Sequence, residues 1–263
     1  MPVVAFRDGD FFPLSEMTVD IAAHAPHDGT SVVDGLRAYC NAEAEELYLF
    51  RAEHYTRLRV ATGMCGVEQP HFLGHLCIID ADLPVRNGAR EDAYVRPLPF
   101  NSSEGLSLWH AGLEDSLVIF RLPMGSGGVR CCVSLWRRPD GNTAPAPAKI
   151  GGIYAAMALA LHEAMSLGLD EPLTLTVDGK VAGGTGENIF LLMYDKLVAP
   201  ARGEDLLVDI TRVGVVEPAT SVLGMDAAEH SVNRNELSTD GVSGTRDTHM
   251  RWCRPIRGQR GLA

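Results

Sequence analysis

The sequence has no Cys-x-x-Cys pair. No histidine stands at zinc-ligand spacing from its six cysteines, Cys40, Cys65, Cys77, Cys131, Cys132 and Cys253. That excludes the common zinc modules and leaves reduced, buried thiols as the expectation, with no metal. No stretch approaches the roughly 18 uninterrupted apolar residues of a membrane span. The opening, Met1 to Asp8, lacks a basic segment followed by an apolar one, so a soluble cytoplasmic chain without a secretory leader is expected. Lys/Arg-dense runs are missing as well, and acidic residues outnumber basic ones by 34 − 23 = 11. Nucleic acid and membrane surfaces are therefore poor partners, whereas a small anionic ligand needs only a few local cations. There is no internal repeat of roughly 20–50 residues, which excludes solenoid architectures.

What is present is ordinary for a folded chain. Of 263 residues, 46% are hydrophobic and 22% charged, enough for a core without disulfide or metal staples. Short β-type runs fall at 3–6, 46–50 and 92–96. Periodicity predicts a helix over Arg51 to Met64 and a buried strand over 116–121. Gly125-Ser126-Gly127-Gly128 after Pro123 fits neither kind of element. This predicts an N-terminal domain over 1–123, a linker over 124–130, and a larger C-terminal domain over 131–263 that carries Lys149. In the second half, strands are predicted at 133–136, 173–177 and 188–193. Helices are predicted from Ile153 to Leu167 and from Thr211 to Leu223, the latter kinked by Pro218. Strands and helices mix without strict βαβ alternation, so the expected fold is α+β, or mixed α/β.

Lys149 is the only lysine between Val3 and Asp178 and is flanked by Ala148 and Ile150-Gly151-Gly152. Small neighbours would let a bulky planar ligand approach the backbone, which suits a Schiff-base lysine. A solvated loop lysine is the ordinary alternative, and spacing alone favours it.

The surrounding motifs reverse that balance. They are Lys149-Ile150-Gly151-Gly152-Ile153-Tyr154, Gly184-Thr185-Gly186-Glu187-Asn188-Ile189-Phe190 and Ile210-Thr211-Arg212. The first half adds His27 to Tyr39, Phe50 to His54 with Arg57-Leu58, and Tyr94-Val95-Arg96-Pro97-Leu98. In this order they resemble the fold-type IV pyridoxal-phosphate enzymes, most of all the branched-chain aminotransferases. The resemblance implies a two-domain fold, a homodimer and pyridoxal 5'-phosphate as cofactor. It implies that Lys149 bonds to the cofactor, and that Arg57, the amides of Ile210 and Thr211, and the Thr245 hydroxyl hold its phosphate. Tyr154 would lie near the cofactor ring, with a helix-core tyrosine as the ordinary alternative, and Tyr94 and Arg96 would bind substrate, Arg96 holding its carboxylate or else serving as a structural ion-pair residue. The physics agrees for the phosphate, because a helix N-terminus and an arginine both favour an anion. Arg137-Arg138 reads as structural at a strand end, and Glu187 as a brace for the glycine-rich loop.

Several positions depart from the family pattern. Relatives carry a glutamate that pairs with the pyridine nitrogen, and here that position is Gly183. An anionic partner keeps the ring nitrogen protonated and electron-withdrawing, so Gly183→Glu is expected to raise transaminase activity. Asp28, Val33 and Gly127 stand where relatives use bulky aromatics, and Arg246 where they keep a small residue; Arg246 would bind a substrate anion or fill the cofactor site. The expectation is an aminotransferase of specialised metabolism, acting on an amino or oxo acid larger or more polar than leucine. A lyase or racemase with the same cofactor, or a cofactor-free relative that binds or cyclises a metabolite, are the alternatives.

Overall fold

The computed structural model describes residues 3–40, 46–48, 51–69, 71–88, 91–109, 112–123, 129–203, 205–238, 241–246 and 249–255. It divides into two compact units, one of residues 1–125 with 148–152, the other of residues 126–147 with 153–263. The expected linker lies mostly outside the described residues, as does Gly127.

The first unit contains β1 (Val4–Arg7), β2 (Asp10–Pro13), α1 (His24–Asp28), β3 (Leu36–Cys40), β4 (Glu46–Tyr48), α2 (Arg51–Cys65), α3 (Leu73–Asn87), β5 (Ala93–Asn101) and β6 (Asp115–Pro123). Its sheet is antiparallel throughout, in the order β2-β1-β6-β5-β3-β4. The period-two alternation of β5 puts Ala93, Val95 and Pro97 inside and leaves Tyr94 and Arg96 half-buried. Leu36, Ala38, Val95 and Ile119 build the core with Leu58 of α2 and with Ile79 and Leu83 of α3. Helix α2 buries His54, Tyr55, Leu58, Ala61 and Thr62, a stripe at helical spacing. Helix α3 escaped the periodicity reading because its buried face carries Asp80, whose Oδ1 accepts the Tyr55 hydroxyl at 2.7 Å.

Residues 148–152 correct the expected partition, which placed Lys149 in the C-terminal domain. The Lys149 carbonyl accepts Val33 N at 2.9 Å, Gly151 N donates to Ser31 O at 2.7 Å and Gly152 N to Gly29 O at 3.2 Å. Ala148 joins the first unit's core. This ladder needs glycine at position 29, where φ is +69. A Cβ on Gly151 would stand 2.2 Å from Ser31 Oγ, and one on Gly29 would stand 2.6 Å from the Gly152 Cα. The two glycines beside Lys149 thus serve a close backbone approach as well as any ligand.

The second unit contains β7 (Val129–Arg137), α4 (Tyr154–Ser166), β8 (Glu171–Leu175), β9 (Val181–Gly183), β10 (Asn188–Met193), β11 (Lys196–Pro200), α5 (Ile210–Ser221), β12 (Asp226–His230), β13 (Gly241–Arg246) and β14 (His249–Pro255). Its mixed sheet runs β12-β11-β10-β13-β14-β7-β8-β9. Val129, Leu173, Leu175, Val181, Ile189, Leu191 and Val198 fill one core. Phe190, Leu197, Ala199 and Ala219 fill another, beneath α5. Pro218 lies inside α5 without ending it. The strand expected at 173–177 begins two residues earlier, at Glu171.

Among the described residues the cysteines are free thiols, and burial pushes Cys65 and Cys132 upward, which keeps them unreactive. No described helix is long and apolar enough to cross a membrane.

Candidate active site

In the first unit, Lys149 is buried at 6% exposure. Beside its ladder partner Val33, itself half-buried, stands Asp34. This carboxylate accepts four hydrogen bonds. Oδ1 takes Gly35 N at 2.7 Å, His54 Nδ1 at 2.8 Å and Arg57 Nη2 at 2.7 Å; Oδ2 takes Arg57 Nε at 2.9 Å. His54 and Arg57 are three apart on α2, so one face of the helix presents both. Burial by itself would raise the Asp34 carboxyl. The Arg57 guanidinium, the hydrogen bonds from His54 and Arg57, and the charge of Lys149 outweigh it and hold the group well below the usual carboxylate range.

Tyr94 and Arg96 share a sheet face, with the Arg96 guanidinium 4.9 Å from the Tyr94 ring centroid. Arg37 of β3 lies opposite Tyr94 in register and is fully buried. The structure therefore adds a second arginine to that face, one that sequence reasoning passed over. Asp28 ends α1 and sits 3.2 Å from His24 Nε2, a local partner that gives it a reason other than substrate binding.

In the second unit, Tyr154 is the half-buried first residue of α4. Ile210 and Thr211 open α5, at the end where helix amides precede the first closed turn. The residue before them, Asp209, is buried and puts a carboxylate at the same end. Asn188 ties this end to the sheet: Nδ2 donates to Leu207 O at 2.8 Å, and Oδ1 accepts Asp209 N at 3.4 Å. Thr245 pairs with Asn188 in register, which brings its backbone to the strand that anchors α5. The side chains of Thr245 and Arg246 lie outside the described residues.

The glycine-rich loop is held from two sides. Glu171 Oε1 accepts Thr185 N at 2.7 Å and Thr185 Oγ1 at 2.6 Å. Arg138 Nη2 donates to Gly184 O at 3.0 Å. Glu187 contributes its carbonyl, which accepts Gly184 N at 3.0 Å. Arg138 is thus more than a strand-end residue. Burial pushes its guanidinium down against the opposing influence of Tyr154 and Asp205, and its shielded Nε has no hydrogen-bond partner among the described residues.

A family model, amino-transferase class IV, matches residues 31–243. The chain belongs to that family. It is 34% identical over 241 residues to a probable branched-chain-amino-acid aminotransferase of Aquifex aeolicus, covering 89% of this chain and 78% of the relative. A branched-chain aminotransferase of Thermoproteus uzoniensis, solved with norvaline, superimposes with a TM-score of 0.92 at 31% identity, over 99% of this chain and 90% of that one. The branched-chain amino acid aminotransferase of Thermobaculum terrenum, solved in its PLP form, gives 0.90 at 26% identity, over 97% and 86%. In this class IV amino-transferase, Asp34 joins Arg37 as a buried polar residue whose place the motifs did not reveal. A signal for Asp34 existed: a His and an Arg at i and i+3 on a helix facing a core require a carboxylate.

Proposed function

We propose that this class IV amino-transferase uses pyridoxal 5'-phosphate to transaminate an amino or oxo acid larger or more polar than leucine. Support for the cofactor comes first from a buried amine at Lys149, with the ion pair of buried Asp34 and half-buried Arg57 in the same unit. Solved branched-chain aminotransferases carry phosphopyridoxyl and pyridoxamine 5'-phosphate groups. The Nε of Arg138, beside the glycine-rich loop and without a hydrogen-bond partner among the described residues, fits a site with an acceptor still to come. Arg57, the Ile210 and Thr211 amides and the Thr245 hydroxyl are the groups that the family resemblance offers to the phosphate.

Pyridoxal phosphate, when bound, supplies an aldehyde for an amine and a ring that draws electrons from the substrate α-carbon. Lys149 would hold the resting cofactor and, once released, move the proton at that carbon through Nζ. Arg96 and Arg37, beside Tyr94, would hold the substrate carboxylate. Their shared sheet face is the observation that carries the carboxylate reading, because two guanidiniums suit an anionic group. Arg96→Leu is expected to raise KM for the amino acid roughly 10- to 100-fold with a smaller change in kcat, as for a lost charge-assisted hydrogen bond. Steady-state kinetics checks it; an unchanged KM would remove Arg96 from the site.

A second reading keeps the cofactor and changes the reaction to elimination or racemisation. Gly183 favours it, since the family's ring-nitrogen glutamate is absent. Glutamate formation from 2-oxoglutarate across a panel of amino acids separates the two. Turnover fastest with a polar or bulky donor supports the proposal. Fastest turnover with leucine overturns the substrate class, and coloured protein that forms no glutamate with any donor points to the second reading.

A further inference from the structure

We propose that Asp34 is a positioning residue for both Lys149 and Arg57. One buried carboxylate locks the arginine fork and lends its negative charge to the lysine amine. The proposal rests on Lys149 being the reactive amine, as argued above, and adds a group that sets when that amine is charged.

Asp34 is 1% exposed and Lys149 6%. Two hydrogen bonds, from Arg57 Nε and Nη2, fix the guanidinium plane, and His54, at 0% exposure, fills another site on Oδ1. The ladder bond from Val33 N to Lys149 O sets the lysine backbone against the residue next to Asp34. The side chains bonded to this carboxylate are Arg57 and His54 from α2, and the charge of Lys149, whose backbone pairs with the neighbouring Val33, acts on it more weakly. On the β5 side, the Tyr94 hydroxyl lies against Gly35, where a Cβ would come within 1.9 Å of it. Interaction between charges is reciprocal. If the lysine charge favours the ionised carboxylate, the carboxylate equally favours the ammonium over the free amine. A salt bridge that only stabilised the fold would leave the lysine's titration alone; this arrangement ties the two.

The test uses the full chain without cofactor. Lys149 is labelled with trinitrobenzenesulfonate across a pH series, and its peptide is followed by mass spectrometry. Asp34→Asn is expected to lower the pH midpoint of labelling by about one unit, because the ammonium loses its counter-charge. Asp34→Glu should restore it. A midpoint that does not move in Asp34→Asn overturns the proposal. Should that variant fail to fold, Lys149→Gln decides the matter from the other side. Without the lysine charge the carboxyl is less depressed, so the stability it supplies is lost at a higher pH on acidification, and the acid-unfolding midpoint rises. An unshifted acid midpoint contradicts the coupling. Because neither readout uses cofactor, a protein that never takes up pyridoxal phosphate would sink the proposed function while these midpoints still judged Asp34.

Discussion

Lys149→Ala is expected to leave the protein colourless after incubation with pyridoxal phosphate and to lower transaminase turnover by more than roughly a thousandfold. The size follows from the two tasks proposed for Nζ, covalent retention of the cofactor and transfer of the α-proton; the other lysines, Lys180 and Lys196, lie on the second unit's strands and turns. The fold should survive. The ladder that seats residues 148–152 is made by backbone atoms of Lys149, Gly151 and Gly152, and Asp34 keeps its bonds to Arg57 and His54. Absorbance and single-turnover kinetics check the expectation. Colour and turnover that persist in a folded variant would contradict it.

Gly183→Glu is expected to cost about 2–4 kcal/mol of stability and not to raise activity. This reverses the effect anticipated from the family pattern alone. Gly183 has φ +158, and a Cβ built on it would stand 2.5 Å from the Glu187 carbonyl oxygen. That carbonyl also accepts Gly184 N, so it cannot yield without opening the loop that Glu171 and Arg138 hold. As folded, the loop of this chain leaves no room for a side chain at position 183. In a melting experiment Tm should fall by roughly 5–15 °C, and Gly183→Ala should share most of that loss because the Cβ, not the carboxylate, makes the collision. A stable Gly183→Glu variant with faster transamination would show that the loop accommodates the side chain.

The elements with clean periodicity were legible from residues alone. Helix α2 differs by one residue from the expectation, and β10 matches it over Asn188–Met193. What hid α3 was a buried polar pair, Tyr55 with Asp80, which places an acid on the apolar face, with Pro84 breaking the pattern further. Strands β13 and β14 also went unread, for their glycine, serine and arginine content lacks alternation. Within the candidate site, Lys149 and the glycine-rich loop were singled out from their local motifs, and their roles remain part of the proposal. Asp34 went unread and Arg138 was read only as a strand-end residue, because their partners lie 23 and 46 residues away in sequence. Lys149 belongs to the first unit by hydrogen bonds across more than a hundred positions, and no local composition shift marks such a ladder.

The most direct measurement is the mass of the Lys149 peptide after borohydride reduction of the protein loaded with pyridoxal phosphate. The account predicts one reduced phosphopyridoxyl group on Lys149. An unmodified Lys149, or the group found on Lys180 or Lys196 instead, would contradict it.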